Sequence, residues 1–409
     1  MSLPWFCANI KNYQETIEQQ CQQLQVPAPT AEAIQTSLQL AQTVCQEIDV
    51  KGGLTFAEFM QMALYQPALG YYSAGSHKIG AQGDFVTAPE LSSLFAQSLV
   101  NTVVEIFESC ERSILELGAG SGALLCDVML QLEKQNCLPE KYYILEVSAD
   151  LRQRQQQLAQ QKIGHLVERV QWISELPKGF NGLIYGNEVV DALPVDLYRK
   201  SNPQLQMGSV VYNDAGFNLT WQPTDIPEAL VTHFEQWPDG YQTEYSPLAE
   251  SWLTELLNCL DKGAILLSDY GYSEADYYHP QRNLGTLQCY YRQHKHNNPL
   301  FLLGLQDITA SVNFTQLAMA ADAQHAQLLG YNSQAMFLIA NGIEQLAQAA
   351  DSDTIPSTAE QIKIGQQLRT LLMPDEMGET IKFLGIGKEG KQCKLSLSAF
   401  SLSNQLHQL

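Results

Sequence analysis

In the stretch ILELGAGSGALL, Ile114 to Leu125, an apolar run ends in Glu116 and Leu117, and glycines follow at 118, 120 and 122. Gly118 and Gly120 permit a tight turn and a close backbone approach to a ligand, while Gly122 lets a following helix settle against a sheet. The spacing leaves open what binds. With Ala123 as the last position of G-x-G-x-x-G/A, a dinucleotide could place its pyrophosphate at the helix N-terminus, and an ordinary strand-to-helix turn would look the same. Charge points to another ligand. Glu116 would oppose a pyrophosphate, but it suits the amino group and sulfonium of S-adenosylmethionine, which carries no phosphate. Glu146, at the end of a second apolar run, can accept hydrogen bonds from both ribose hydroxyls, which either cofactor requires.

A second group of acids follows. In GNEVVDALPVD, Gly186 to Asp196, Asn187 is assigned to the cofactor, and Glu188 and Asp191 are the candidate catalytic carboxylates. Methyl transfer is an in-line displacement, so the enzyme mainly positions the acceptor nitrogen against the transferred carbon. An arginine is protonated at neutral pH and is a poor nucleophile until a carboxylate localises its charge and accepts a proton. Two acids at one strand end can divide those tasks, one orienting the guanidinium and one taking the proton. The plainer alternative is that Asp191 caps a turn and Glu188 is a solvated loop acid. Asp269 and Tyr270, ending a further apolar run, are expected on the substrate side of the same cleft, with turn chemistry as the alternative. His279, His294 and His296 lack the spacing of a metal site, and no metal is expected.

These residues need a sheet that brings strand ends together. From Ile114 short apolar runs alternate with helical stretches, the pattern of a mostly parallel, Rossmann-like α/β sheet with helices on both faces. The predicted strands are Ile114 to Leu117, Tyr142 to Leu145, Val170 to Trp172, Leu183 to Tyr185 and Ala264 to Ser268. Helices are predicted from Gly122, after Ser148, and from Ser246 as N-cap to a stop at Gly263. Three segments are expected: 1–110, a helical region ending in a Gly/Tyr-rich stretch (Pro67 to Glu90); 111–390, the α/β domain; and 391–409, a tail. Insertions at about 195–245 and 271–313 are expected to form a substrate cap, with surface insertions of no such role as the alternative, and with turns at Ser201-Asn202-Pro203 and Asn213 to Gly216.

The bulk properties narrow the partners. A net charge of -21 repels a phosphate backbone, so nucleic acid is not expected; an acidic field would favour a cationic substrate, with simple solubilisation as the plainer alternative. The nine cysteines are scattered and contain no C-x-x-C pair, which reads as reduced thiols. No signal or transit composition opens the chain, and no apolar run is long enough to span a membrane, so a cytoplasmic protein without membrane insertion is expected. A homodimer is compatible with the sequence, which marks no self-complementary patch for it.

Several motifs in order resemble one family. They are GYY at Gly70, IGAQGDFVTAPELS at Ile79, ELGAGSGALLCDV at Glu116, LEVSADLRQRQ at Leu145, GNEVVDALPV at Gly186, SDYG at Ser268 and QDITASVNF at Gln306. Together they look like the MidA family of protein arginine methyltransferases. The resemblance implies a class I methyltransferase fold, S-adenosylmethionine as donor, and symmetric dimethylation of an arginine in a protein, in mitochondria a subunit of respiratory complex I. It also assigns Gly80, Gly83, Asp84, Phe85 and Thr87 to a segment folding over the donor. Ser311 and Asn313 stand where the family commonly has His and Asp. The rival readings are an NAD-dependent oxidoreductase on the same glycine turn, and a donor-binding assembly or scaffold protein with little turnover.

Overall fold

The structure is a computed structural model describing residues 3–73, 87–349, 358–389 and 395–409. The chain folds as two units, each with its own core.

The larger unit carries the parallel sheet. Its strands are β1 (Ser113–Leu117), β2 (Lys141–Leu145), β3 (Val170–Ile173), β4 (Phe180–Asn187), β5 (Leu260–Tyr272), β6 (Gln327–Ser333) and β7 (Ile381–Glu389). They lie in the order β3-β2-β1-β4-β5-β7-β6, with β7 antiparallel to both neighbours. The other pairings along this order are parallel, and a short strand, Val312–Asn313, adds to the end of β5. The order reverses between β1 and β4, and open α/β sheets bind ligands outside the strand carboxyl ends at such a reversal. Helices α1 (Ser93–Phe107), α2 (Ala123–Lys134), α3 (Ala149–Ile163), α4 (Ala249–Cys259) and α5 (Phe314–Ala323) complete the framework. β1 reads SILEL and is buried throughout, as a central parallel strand should be. α2 buries Leu124, Leu125, Val128 and Leu132, the face its spacing predicts.

The five predicted strands are present, each longer than predicted. β6 and β7 are not among them. Their sequences, QLLGYNS and IKFLGIGKE, are interrupted by glycines that look like turn signals, yet Gly330 and Gly385 make room for Phe400. A Cβ on Gly330 would lie 2.1 Å from that ring, so residues 395–409 contribute a core aromatic to this unit. The helix predicted from Ser246 to Gly263 is shorter at both ends. α4 begins at Ala249, Ser246 Oγ donates to the Pro194 carbonyl, and the chain enters β5 at Leu260. Gly263 is a strand residue, paired with Gly182 at φ +131, where a Cβ would sit 1.9 Å from the Gly182 carbonyl oxygen. Close strand approach, not helix termination, requires that glycine.

The smaller unit combines the N-terminal region with residues 192–248 and 275–311. The boundary expected at residue 110 therefore moves, because α1 belongs to the larger unit, and the two insertions fold with the N-terminal helices. Helices Ile10–Leu24 and Ala31–Lys51, the latter capped by Thr30, lie in the region expected to be helical. Strands Asp196–Ser201, Gln204–Asn213 and Gly216–Thr224 form antiparallel hairpins that turn at Asn202-Pro203 and Asp214-Ala215, as expected from those residue types.

Candidate functional site

The glycine turn connects β1 to α2. Gly118, Gly120 and Gly122 all adopt positive φ (59°, 53° and 84°), the region that other residues enter at a cost. A Cβ on Gly122 would lie 3.3 Å from the Gln155 backbone, so α3 packs directly on the turn. Glu116, on β1, is buried and accepts a 2.8 Å hydrogen bond from the Tyr142 hydroxyl on β2. Burial raises its carboxyl to about 7, with the Tyr142 bond opposing and Glu146 adding to the rise. A buried carboxyl with a raised titration point therefore lies two residues before the glycine turn.

Glu146, at the carboxyl end of β2, is also buried and pushed upward by desolvation. One oxygen accepts from the Ser148 amide at 2.8 Å, and the other from the Gln155 amide at 2.9 Å. Ser148 caps α3 through the Leu151 amide, so the acid and the helix start are fixed together. Val147, next in the chain, is 74% exposed, an apolar side chain at the strand ends.

On the other side of the reversal, β4 ends at Asn187 and the chain turns. Asn187 Oδ1 accepts from Ser268 Oγ at 2.8 Å, and its amide donates to Glu188 Oε1 at 3.1 Å. Glu188 has φ +51, a left-handed conformation unusual for a residue with a side chain, and its N–H donates to the Ser268 carbonyl at 2.8 Å. Asp269, wholly buried at the end of β5, holds the turn in place. Its Oδ2 accepts from the amides of Val189, Val190 and Asp191 at 3.1, 2.8 and 3.2 Å, and Oδ1 from the Tyr270 amide at 2.8 Å. Burial pushes its carboxyl up to about 7 against the pull of those four bonds. Both oxygens of Asp269 are committed to backbone, so its geometry is that of a clamp on the Glu188–Asp191 turn rather than of a group facing substrate. Tyr270 is half-buried against the core, and Asp191 is buried.

Thr87 precedes the short helix Ala88–Leu91 as its N-cap. Gly80, Gly83, Asp84 and Phe85 lie outside the described residues. Asn313 caps α5, its Oδ1 accepting from the Thr315 and Gln316 amides, a task an aspartate would perform equally. The Ser311 amide donates to Thr286 Oγ1.

Sequence reasoning misses the polar side chains that brace these acids. Tyr142 reads as an ordinary strand aromatic. Gln155 is hidden among the glutamines of QRQQQLAQQ, and only its helical register with Leu151 and Leu158 hints that it faces inward.

A parallel sheet reversing at β1 and β4, a glycine turn beside a buried carboxyl, and an acid at the end of β2 define an S-adenosylmethionine-dependent methyltransferase. Residues 95–332 match a family described as "Putative S-adenosyl-L-methionine-dependent methyltransferase". The chain belongs to that family, and S-adenosylmethionine is its donor. A crystal structure of a COG1565 superfamily member from Burkholderia thailandensis, bound to S-adenosyl-homocysteine, is similar at 34% identity with TM-score 0.87, over 94% of this chain and 100% of that one. Its native counterpart gives 35% identity and TM-score 0.85 over the same shares. Among curated proteins, "Protein arginine methyltransferase NDUFAF7, mitochondrial" of Homo sapiens is 28% identical, covering 83% of this chain and 81% of that protein. The Danio rerio protein of the same name is 27% identical over 84% and 85%.

The cytoplasmic expectation is corrected by these relatives, which are mitochondrial by name. The opening residues of a chain, on which that expectation rests, are weak evidence for where it works. Among the described residues no helix is long and apolar enough to cross a membrane.

Proposed function

We propose that this methyltransferase acts on an arginine side chain of a protein, by symmetric dimethylation as its family resemblance suggests, with a respiratory complex I subunit as the candidate substrate. The observation that carries the reading is the pair of acids, Glu188 and Asp191, on one clamped turn at the end of β4. The relatives named as arginine methyltransferases support the same choice.

In this reading Glu116 faces the amino group of the donor, Gly118 and Gly120 lie under its methionine portion, and Glu146 takes the ribose hydroxyls. The residues fit a cationic ligand, because a buried carboxyl held near 7 gains its charge readily when a cation arrives. Val147 offers an apolar face to the adenine. Bound S-adenosylmethionine supplies a methyl group on a sulfonium, open to in-line attack. Asn187 touches Glu188 and so relates the donor side to the acceptor side. Glu188 and Asp191 grip the guanidinium, one fixing its plane and the other removing a proton as the nitrogen is alkylated. Gly83, Asp84 and Thr87 are proposed as further donor-binding residues, from the family resemblance.

The test is incubation of the protein with radiolabelled donor and an extract from a strain lacking it, followed by mass spectrometry of the labelled species. Label on arginine of a discrete protein is expected. Label only on lysine or nucleic acid would place the acceptor chemistry elsewhere.

A further inference from the structure

Gln155 stands on the inward face of α3 with no exposure to solvent, and both ends of its amide are engaged. Nε2 donates to the Gly120 carbonyl at 2.9 Å and to Glu146 Oε2 at 2.9 Å. Oε1 accepts from the Trp172 indole N–H on β3 at 3.0 Å. That last bond fixes which way the amide points: an indole N–H can only donate, so the oxygen must face Trp172 and the NH2 must face the turn and the acid. One neutral side chain therefore joins the glycine turn, the end of β2 and β3, from a helix that also abuts Gly122. Arg152, one turn earlier on α3, reinforces the seam by donating to the Glu146 and Ile173 carbonyls at 2.8 and 3.2 Å.

We infer that Gln155, oriented by Trp172, is a positioning residue that sets the direction of the Glu146 carboxylate and thereby the protein's selectivity for a ribose with free hydroxyls. The inference rests on the assignment of Glu146 to the donor ribose. The Ser148 amide occupies one carboxylate oxygen and Gln155 the other, so the carboxylate cannot rotate, and its remaining lone pairs have fixed directions. A hydroxyl arriving along those directions meets an acceptor already aligned. One lacking leaves a buried charged acceptor without its partner. Without Gln155 the carboxylate retains its chemistry and loses its aim.

The experiment measures binding of S-adenosylhomocysteine and of its 2′-deoxy counterpart to the full chain by calorimetry. For wild type the missing hydroxyl should weaken binding about 10- to 100-fold, the range of a hydrogen bond to a charged acceptor. In Gln155→Met, which keeps volume and removes both hydrogen-bonding ends, the ratio should fall to within about threefold of unity, with the two ligands still bound. Trp172→Phe should move the ratio in the same direction, and it serves alone if Gln155→Met does not fold. A wild-type ratio retained in these variants overturns the inference. Glu146→Gln separates the two claims: if it too keeps the wild-type ratio, or if wild type ignores the hydroxyl, the ribose assignment itself fails; if Glu146→Gln abolishes the ratio and Gln155→Met does not, only the role of Gln155 fails.

Discussion

The carboxyl ends of β1 and β2 and the carboxyl ends of β4 and β5 carry the same kind of group, buried carboxylates, and fix them in opposite ways. On the first side Glu116 is braced by a side chain, the Tyr142 hydroxyl, and Glu146 by a side chain and a backbone group together, the Gln155 amide and the Ser148 N–H. On the second side the acid is the brace: Asp269 gathers the amides of residues 189–191, and it thereby positions a turn of backbone that carries Glu188 and Asp191. A side-chain brace suits a ligand of fixed shape that always approaches in one pose. A backbone clamp suits a turn that must hold a strained residue, Glu188 at φ +51, against relaxation. The same kind of group is thus held in place on one side and holds backbone in place on the other.

The contrast is broken most forcefully by changing the acids on the clamped turn. Glu188→Gln and Asp191→Asn are expected to lower turnover on the arginine-bearing protein by on the order of 10²-fold or more, measured as initial rates of label transfer. Full activity in both would remove the acceptor chemistry from this turn. Next in size is the clamp. In Asp269→Asn an NH2 replaces one oxygen and opposes a backbone N–H, so turnover should drop about tenfold with donor affinity within about threefold of wild type. Equal loss of donor affinity would show that the two sides are not separable.

A smaller effect sharpens the comparison through pH. Glu116 and Asp269 both have carboxyls pushed up to about 7, above the ordinary range of about 4. The folded protein therefore binds protons that the unfolded chain has released, and stability from these groups is full below that ordinary range and is lost as pH rises toward 7 and beyond. Denaturant midpoints of the donor-free protein should decline across that window, and Glu116→Gln should flatten the decline and raise stability at pH 7.5 while weakening donor binding. A variant no more stable than wild type at pH 7.5 would show that Glu116 is not a strained, ligand-awaiting acid.

Legibility in the sequence divides along the same line. The glycine turn, Glu116 and Glu146 stand out because their spacing from apolar runs is dictated by strand and helix geometry. Glu188 and Asp191 are visible as acids following the end of a strand, and their proposed role rests on that position. Asp269 is visible too, but expected toward substrate, because a sequence shows that an acid ends a strand and not that backbone amides surround it. Gln155 is camouflaged by its neighbours. β6 and β7 escape notice because Gly330 and Gly385 imitate turns, when their reason is a phenyl ring from fifteen residues beyond β7's Gly385.

The central claim is that donor recognition and acceptor positioning are held by different strand ends. Calorimetric titration of S-adenosylhomocysteine into Glu146→Ala and Glu188→Gln, side by side, tests it most directly. The account predicts affinity weaker by about 10- to 100-fold for Glu146→Ala and within about threefold of wild type for Glu188→Gln. Equal losses in the two variants, or the larger loss in Glu188→Gln, would contradict it.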